Sequence, residues 1–310
     1  MKFHFAPLQG YTDAAYRKFH NDIYGGCIDF YYTPFIRIEK GGPRSKDIRD
    51  LDISDIDRSK LIPQIIIKDV DEFNQLVNLL SSKGYNKIDI NMGCPFPIQV
   101  KHGKGAGLLD NPAKIEQIAH SITKYPHIEF SIKMRLGNTV ATQWKNIQAI
   151  INGTPIKHIT LHPRIATQQY SGQPDIDAFT EFYENITHPI IYNGDIVTIY
   201  DISNIVNLFP NLAGVMIGRG LLSRPSLIME YINNNELSSN QRVELFMKFH
   251  DKLFEYYQKK LCGEAQILNK LKSIWDYNES MIGHKLYKLI KKASSIKKYD
   301  QIINTISKQN

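Results

Sequence analysis

Apolar residues in this chain fall into short blocks at regular intervals. Eight β-favouring runs stand out: Phe3–Ala6, Asp29–Thr33, Ile62–Ile67, Lys87–Asn91, Glu129–Met134, His158–Leu161, Ile190–Asn193 and Gly214–Ile217. Most are nearly continuous apolar segments without strict alternation, as strands buried on both faces of a parallel sheet read. Between them, Phe73, Leu76, Val77 and Leu80 repeat at i, i+3, i+4 and i+7, which predicts an amphipathic helix with Asp71 as its cap. Asn111-Pro112 predicts another, with proline at the first helical position. Trp144–Ile151 and Ile199–Phe209 supply two more.

Eight strands alternating with helices predict a (β/α)8 TIM barrel, an α/β fold of about 250 residues. A doubly wound sheet is the alternative, but its glycine-rich turn directly after a first strand is missing. The nearest match, Gly103, Gly105 and Gly107 in HGKGAG, lies well past its strand and has the wrong spacing. After Asn233-Asn234-Asn235 the pattern changes. Val243, Phe246, Met247, His250, Leu253, Phe254 and Tyr257 trace one helical face. Leu268, Leu271 and Trp275 trace a second, Leu286, Leu289 and Ile290 a third, and Ile302, Ile303 and Ile306 a fourth. This predicts a barrel over residues 1–233 followed by a small all-α helical bundle over 234–310.

Composition narrows the class. With 310 residues, 42% apolar and 22% charged, the chain has material for a sizeable core and is not disordered, collagenous or coiled-coil. No apolar run approaches the roughly 20 residues that span a bilayer. MKFHFAPLQG is interrupted before a signal-peptide core develops. Cys27, Cys94 and Cys262 are too few and too scattered for a disulfide framework or a metal cluster. A reduced, cytoplasmic, metal-free protein is expected, a monomer in its simplest form. Charge is more telling. Residues 241–310 hold 14 Lys/Arg against 7 Asp/Glu, a surplus equal to the net +7 of the whole chain. A neutral main body with a basic helical tail points to a polyanionic partner, although a solvated lysine-rich surface gives the same count.

In a barrel, chemistry gathers at the C-terminal ends of the strands. Those positions carry Pro7-Leu8-Gln9, Gln64, Asn91 to Pro95, Lys133 and Arg135, His162 to Arg164, Asn193-Gly194-Asp195, and Gly218-Arg219-Gly220. Glycine-containing turns after strands seven and eight commonly bind phosphate through backbone N–H groups. With a lysine reaching in from strand five, they suggest a flavin mononucleotide across the barrel mouth, its anionic reduced ring stabilised by that ammonium. Singly each residue also has an ordinary reading: a snorkelling Lys133, a packed His162, an inert Cys94.

The ordered set APLQGYTDAAYR (6–17), DINMGCP (89–95), KMR (133–135), LHPR (161–164), NGD (193–195) and IGRG (217–220) resembles the tRNA-dihydrouridine synthase family of bacterial type. The basic helical tail resembles that family's RNA-binding domain. The resemblance implies an FMN-dependent enzyme that reduces the C5=C6 bond of specific uridines in tRNA, with NADPH (or NADH) restoring the flavin. It implies that Pro7, Leu8, Gln9, Gln64, Lys133, His162, Asn193, Gly194, Asp195, Gly218 and Arg219 bind the cofactor. It further implies that Asn91 and Arg164 hold the uracil and that Cys94 donates the proton. The stretch CPFPIQVKHGKGAGLL departs from the usual pattern. It is one residue longer before Val100 and lacks the lysine that commonly follows the Cys-Pro pair, for which Lys101 and Lys104 are candidate replacements. Other readings are the same reaction on ribosomal RNA, a flavin barrel acting on free pyrimidines, and a non-catalytic RNA-binding protein.

Overall fold

The computed structural model describes residues 1–51 and 58–308. Apart from a two-stranded antiparallel hairpin of Ile38–Glu39 with Gly42–Pro43, its strands form one sheet: β1 (Lys2–Phe5), β2 (Phe30–Tyr32), β3 (Leu61–Ile62), β4 (Gln64–Ile65), β5 (Lys87–Met92), β6 (Glu129–Gly137), β7 (Ile159–Ile165), β8 (Ile190–Tyr192) and β9 (Gly214–Ile217). All pair in parallel, in the spatial order β3-β2-β1-β9-β8-β7-β6-β5-β4. The two edges are β3 and β4, which are halves of one strand broken at Pro63, where no backbone N–H is available to a ladder. The sheet therefore closes on itself as the expected TIM barrel, with eight strand positions.

Helices cover the outside. They include α1 (Ala14–Ile23), α2 (Val70–Ser82), α3 (Pro112–Ile122), α4 (Ile176–Asn185) and α5 (Ile199–Leu208). Helix α2 buries Phe73, Leu76, Val77 and Leu80 as their spacing predicts, but it begins earlier. Its cap is Asp69, which accepts from the Glu72 N–H, whereas Asp71 lies inside the first turn. Pro112 opens α3, with Asn111 as its cap. The stretch Trp144–Ile151 is split, a 3-10 turn at Gln143–Ile147 leading into a short helix at Gln148–Asn152.

Strands β5, β6 and β7 do alternate, contrary to the sequence reading. Ile88, Ile90 and Met92, then Phe130, Ile132, Met134 and Leu136, then Ile159 and Leu161 join the main apolar core under the helices. The intervening positions are polar and point into the barrel. Register sets Asp89 beside Ser131, Asn91 beside Lys133, Lys133 beside Thr160 and Arg135 beside His162. Period-two geometry thus sends every second residue into the lumen. A separate small apolar cluster of Ala6, Tyr32, Ile62, Ile191 and Met216 fills the remainder.

Past Leu227–Ile232 the chain forms α6 (Ser239–Lys260), α7 (Glu264–Ile274), α8 (His284–Lys292) and α9 (Ile296–Lys308). These helices share the barrel's core. Phe249 of α6 meets Tyr16 of α1 edge-on at 4.8 Å. Asp13, the cap of α1, also accepts from Tyr257 Oη at 3.0 Å and pairs with Lys270 Nζ at 2.5 Å. Lys285, Lys288, Lys292, Lys297 and Lys298 are exposed on α8 and α9. Among the described residues, no helix is long and apolar enough to cross a membrane, and no group of three His, Cys, Asp or Glu could hold a metal ion.

Candidate active site

The strand ends at one mouth of the barrel surround a cavity of about 530 Å³. Pro7, Leu8, Gln9, Gln64, Asn91, Cys94, Lys133, His162, Asn193, Gly194, Asp195, Gly218 and Arg219 all line it. Arg164 does not. It is 1% exposed and stands behind the wall, where its guanidinium pairs with Asp195, donates to His162 Nε2 at 3.0 Å and donates to the Gly172 carbonyl at 2.6 Å.

Cys94 sits on the turn after β5, and the turn is shaped by Asn91. Asn91 Oδ1 accepts from the N–H groups of Gly93 (3.0 Å) and Cys94 (2.8 Å), while its Nδ2 donates to Gln64 Oε1 at 2.8 Å. Gly105, at φ +59°, backs the turn so closely that a Cβ there would lie 2.7 Å from the Cys94 carbonyl oxygen. Gly105 therefore serves this packing, and Gly107 packs against the Val100 carbonyl, where a Cβ would lie 2.4 Å from its oxygen. Burial raises the Cys94 thiol above its ordinary pKa, against the opposing pull of the Phe96 N–H, Arg135 and Lys133. The thiol is therefore protonated at neutral pH.

The cavity is rich in cations. Lys133 Nζ donates to Asn193 Oδ1 at 2.7 Å, and burial together with the charge of Arg135 brings its pKa down to about 8. Arg135, 2% exposed, donates through Nε to the Gly93 carbonyl at 3.1 Å and through Nη1 to the Ile165 carbonyl at 2.9 Å. Lys104, a candidate replacement for the missing lysine, turns away and pairs with Glu72 at 2.9 Å; Lys101 is exposed. Arg135, followed by Lys133 and Arg37, supplies the positive charge felt by the cysteine. His162 is held well below its ordinary pKa by burial and by Arg135, Lys133, Arg164 and Arg219, so it is neutral. Because an arginine only donates, His162 Nε2 is the bare nitrogen and Nδ1 carries the proton.

Asp195 lies in the left-handed region at φ +38°, which aspartate tolerates better than most residues. Burial opposes its charge, but Arg164 and Arg219 outweigh burial and hold its pKa below the ordinary value. The turns after β8 and β9 are tightly packed: a Cβ on Gly220 would lie 2.0 Å from the Ile196 carbonyl oxygen.

Several lining residues were not singled out from the sequence as site residues. Tyr170 spreads its ring under Arg219, whose guanidinium lies 4.2 Å from the ring centroid. Tyr277 reaches the cavity from the helical tail, edge-on to Tyr11 at 5.4 Å. Nothing local marks these two. Arg135, by contrast, was legible, since it falls in phase with Ser131 and Lys133 on a strand whose alternate residues are apolar.

Comparison with known proteins agrees with this architecture. A family model described as dihydrouridine synthase matches residues 4–309. The chain is 26% identical over 261 residues to a probable tRNA-dihydrouridine synthase of Helicobacter pylori, covering 81% of this chain and 76% of that protein. It is 28% identical over 281 residues to the tRNA-dihydrouridine(16) synthase of Neisseria meningitidis, covering 86% and 82%. Among solved structures, TcOYE with pHBA superimposes with a TM-score of 0.52 at 8% identity, over 76% of this chain and 90% of that one, a likeness of fold.

Proposed function

The chain belongs to the dihydrouridine synthase family, and on that premise we propose that it reduces the C5=C6 bond of particular uridines in tRNA to 5,6-dihydrouridine. The observation that carries this reading is a protonated thiol, Cys94, facing the same cavity as Lys133, Arg135 and Arg219. Relatives named as tRNA-dihydrouridine synthases support the substrate, as does the lysine-rich surface of α8 and α9, suited to a phosphate backbone. In this reading residues 1–233 are the catalytic barrel and 234–310 bind RNA, in a cytoplasmic monomer.

Flavin mononucleotide suits the cavity by its donor set. The lining cations outnumber Asp195, whose charge is already met by Arg164 and Arg219. Burial and the neighbouring Arg135 depress the pKa of Lys133, a cost to its ammonium that an anionic ring or a phosphate relieves. Pro7, Leu8 and Gln9 would line the group through their backbone. Gln64, Lys133 and His162 would meet its ring system, and Asn193, Gly194, Gly218 and Arg219 its ribityl chain and phosphate. Asp195 would contribute its backbone, because its carboxylate is committed. When bound, the flavin supplies the hydride that uracil C6 receives, with NADPH or NADH as the source of electrons.

The chain's own residues complete the reduction. The Cys94 thiol delivers the proton to C5, and Arg135 is the near cation that offsets the thiolate left behind. Asn91 Nδ2 carries two N–H groups, of which Gln64 takes one, leaving one for a uracil carbonyl. Arg164 acts from behind the wall, through Asp195 and the tautomer of His162. A uridine in a folded loop leaves its stack at lower cost than one in a duplex.

Flavin affinity is expected to fall as pH rises through about 8, where Lys133 loses its proton. Lys133→Met is expected to weaken binding and to remove that step. Fluorescence titration of flavin across pH checks both, and an unchanged profile in the variant would assign the step to another group.

The reading as a whole is tested by nucleoside mass spectrometry. Protein and NADPH are incubated with dihydrouridine-free RNA, and the tRNA and ribosomal fractions are digested separately. Dihydrouridine is expected in the tRNA. Signal confined to ribosomal RNA would keep the reaction and change the substrate. No signal from flavin-loaded protein would favour free pyrimidines or a non-catalytic RNA binder.

A further inference from the structure

Asp89 precedes Asn91 by two positions on β5 and is fully buried, yet the chemistry above gives it no part. Both of its oxygens are engaged. Oδ1 accepts from Ser131 Oγ at 2.6 Å, and Oδ2 accepts from Gln64 Nε2 at 2.7 Å. From there the contacts run in one direction: Asn91 Nδ2 donates to Gln64 Oε1, and the N–H groups of Gly93 and Cys94 donate to Asn91 Oδ1.

A side-chain amide has a donor end and an acceptor end of almost the same shape, so a chain of two amides has two polarities of similar fit. A carboxylate can only accept. Asp89 therefore obliges Gln64 to turn its nitrogen inward and its oxygen toward Asn91. Asn91 must then offer its nitrogen to Gln64 and its oxygen to the cysteine turn. Ser131 cannot set this direction, because a hydroxyl both donates and accepts. We infer that Asp89 is a positioning residue: it fixes the polarity of the Gln64–Asn91 relay and thereby the Gly93–Cys94 turn that carries the thiol. Its carboxylate is the major form at neutral pH. Burial raises its pKa to about 6, with Ser131, Gln64 and Lys133 opposing. Lys133 on β6 and Tyr32 on β2 are the titratable groups that face it.

The inference rests on Cys94 as proton donor, but the relay's hold on the turn can be read without turnover, by amide hydrogen exchange at Gly93 and Cys94. In Asp89→Asn both polarities become available. Exchange at these two amides is expected to quicken about 10-fold or more, as for a lost buried hydrogen bond, while other segments keep their protection. The kcat for dihydrouridine formation is expected to fall at an unchanged KM for tRNA. The pair Asp89→Asn with Gln64→Glu again offers Asn91 only an acceptor, and is expected to restore protection at both amides. Unchanged exchange and kcat in Asp89→Asn would reduce Asp89 to packing. If that variant does not fold, a folded double variant decides alone, and lost protection at the turn overturns the inference. The wild-type chain gives a third reading: after correction for intrinsic rates, protection at the two amides is expected to drop as pH falls through about 6, where Asp89 takes up a proton and can donate. Absence of dihydrouridine from wild-type protein would remove the proposed function and leave the relay still decided by exchange.

Discussion

Cys94→Ala is expected to lower the rate of dihydrouridine formation by roughly 10²–10⁴-fold, the range for losing a positioned general acid, with tRNA binding retained. The size of the effect follows from the site. In the proposed reaction, hydride arrival at C6 leaves a carbanion at C5 that must be protonated, and Cys94 is a protonated thiol held on a hydrogen-bonded turn. Its pKa is raised by burial, so the acid form dominates across the neutral range without special tuning. Single-turnover assays with saturating tRNA separate this loss from binding. Residual activity within a few-fold of wild type would assign the proton to solvent or another side chain. Loss of tRNA affinity instead would make Cys94 a structural residue of the binding surface.

The second large effect is expected far from the cavity. Glu230, with its side chain fully buried, accepts from Arg224 Nη2 at 2.5 Å, Arg242 Nη2 at 3.0 Å, Ser226 Oγ at 2.5 Å and the Leu237 N–H at 2.8 Å. Arg224 follows the last barrel strand and Arg242 opens α6, so one carboxylate joins the barrel to its helical tail. Glu230→Gln removes the charge and leaves both guanidiniums half-paired, which is expected to cost about 3–5 kcal/mol in urea unfolding. Less than about 1 kcal/mol would show that Glu236 and solvent replace it.

The same group predicts acid sensitivity. Burial works against the charge of Glu230, but Arg224, Arg242, Ser226 and the Leu237 N–H hold its pKa at about 2, below the ordinary 4.5. A depressed carboxylate contributes stability that is complete above its unfolded value and is lost as pH falls toward the folded one. Stability is therefore expected to decline from about pH 4.5 toward pH 2, and the Gln variant to decline less steeply over that window. Because α6 also buries Phe249 against α1, deleting the tail would expose barrel core and is a poor test of RNA binding. Charge reversal at exposed Lys288 or Lys297 leaves that core untouched.

Much of this was legible in the order of residues. Parallel strands declare themselves locally as short apolar runs, which is why all eight strand positions and their C-terminal motifs could be read without a structure. Among the expected site residues, all but Arg164 line the cavity because strand ends in a barrel converge by construction. Alternation along β5, β6 and β7 was present too. Asp89, Ser131 and Arg135 share the phase of Asn91 and Lys133, and that period-two polar ladder marks residues aimed into the lumen.

Pairings between distant residues are another matter. Arg164 looks like a ligand-binding arginine by position, yet Asp195 on another strand end neutralises it behind the wall. Lys104 follows the cysteine loop but turns to Glu72 on α2. Tyr277 enters the cavity from a segment whose sequence suggested RNA binding alone. By itself the sequence determined the barrel, the order of its motifs and the basic tail, since periodicity, turn chemistry and net charge are local or additive properties. Only the tertiary structure decided which charges cancel, which amide faces which, and which tail residue closes the site, because those depend on side-chain directions brought together by closure of the barrel and docking of the tail.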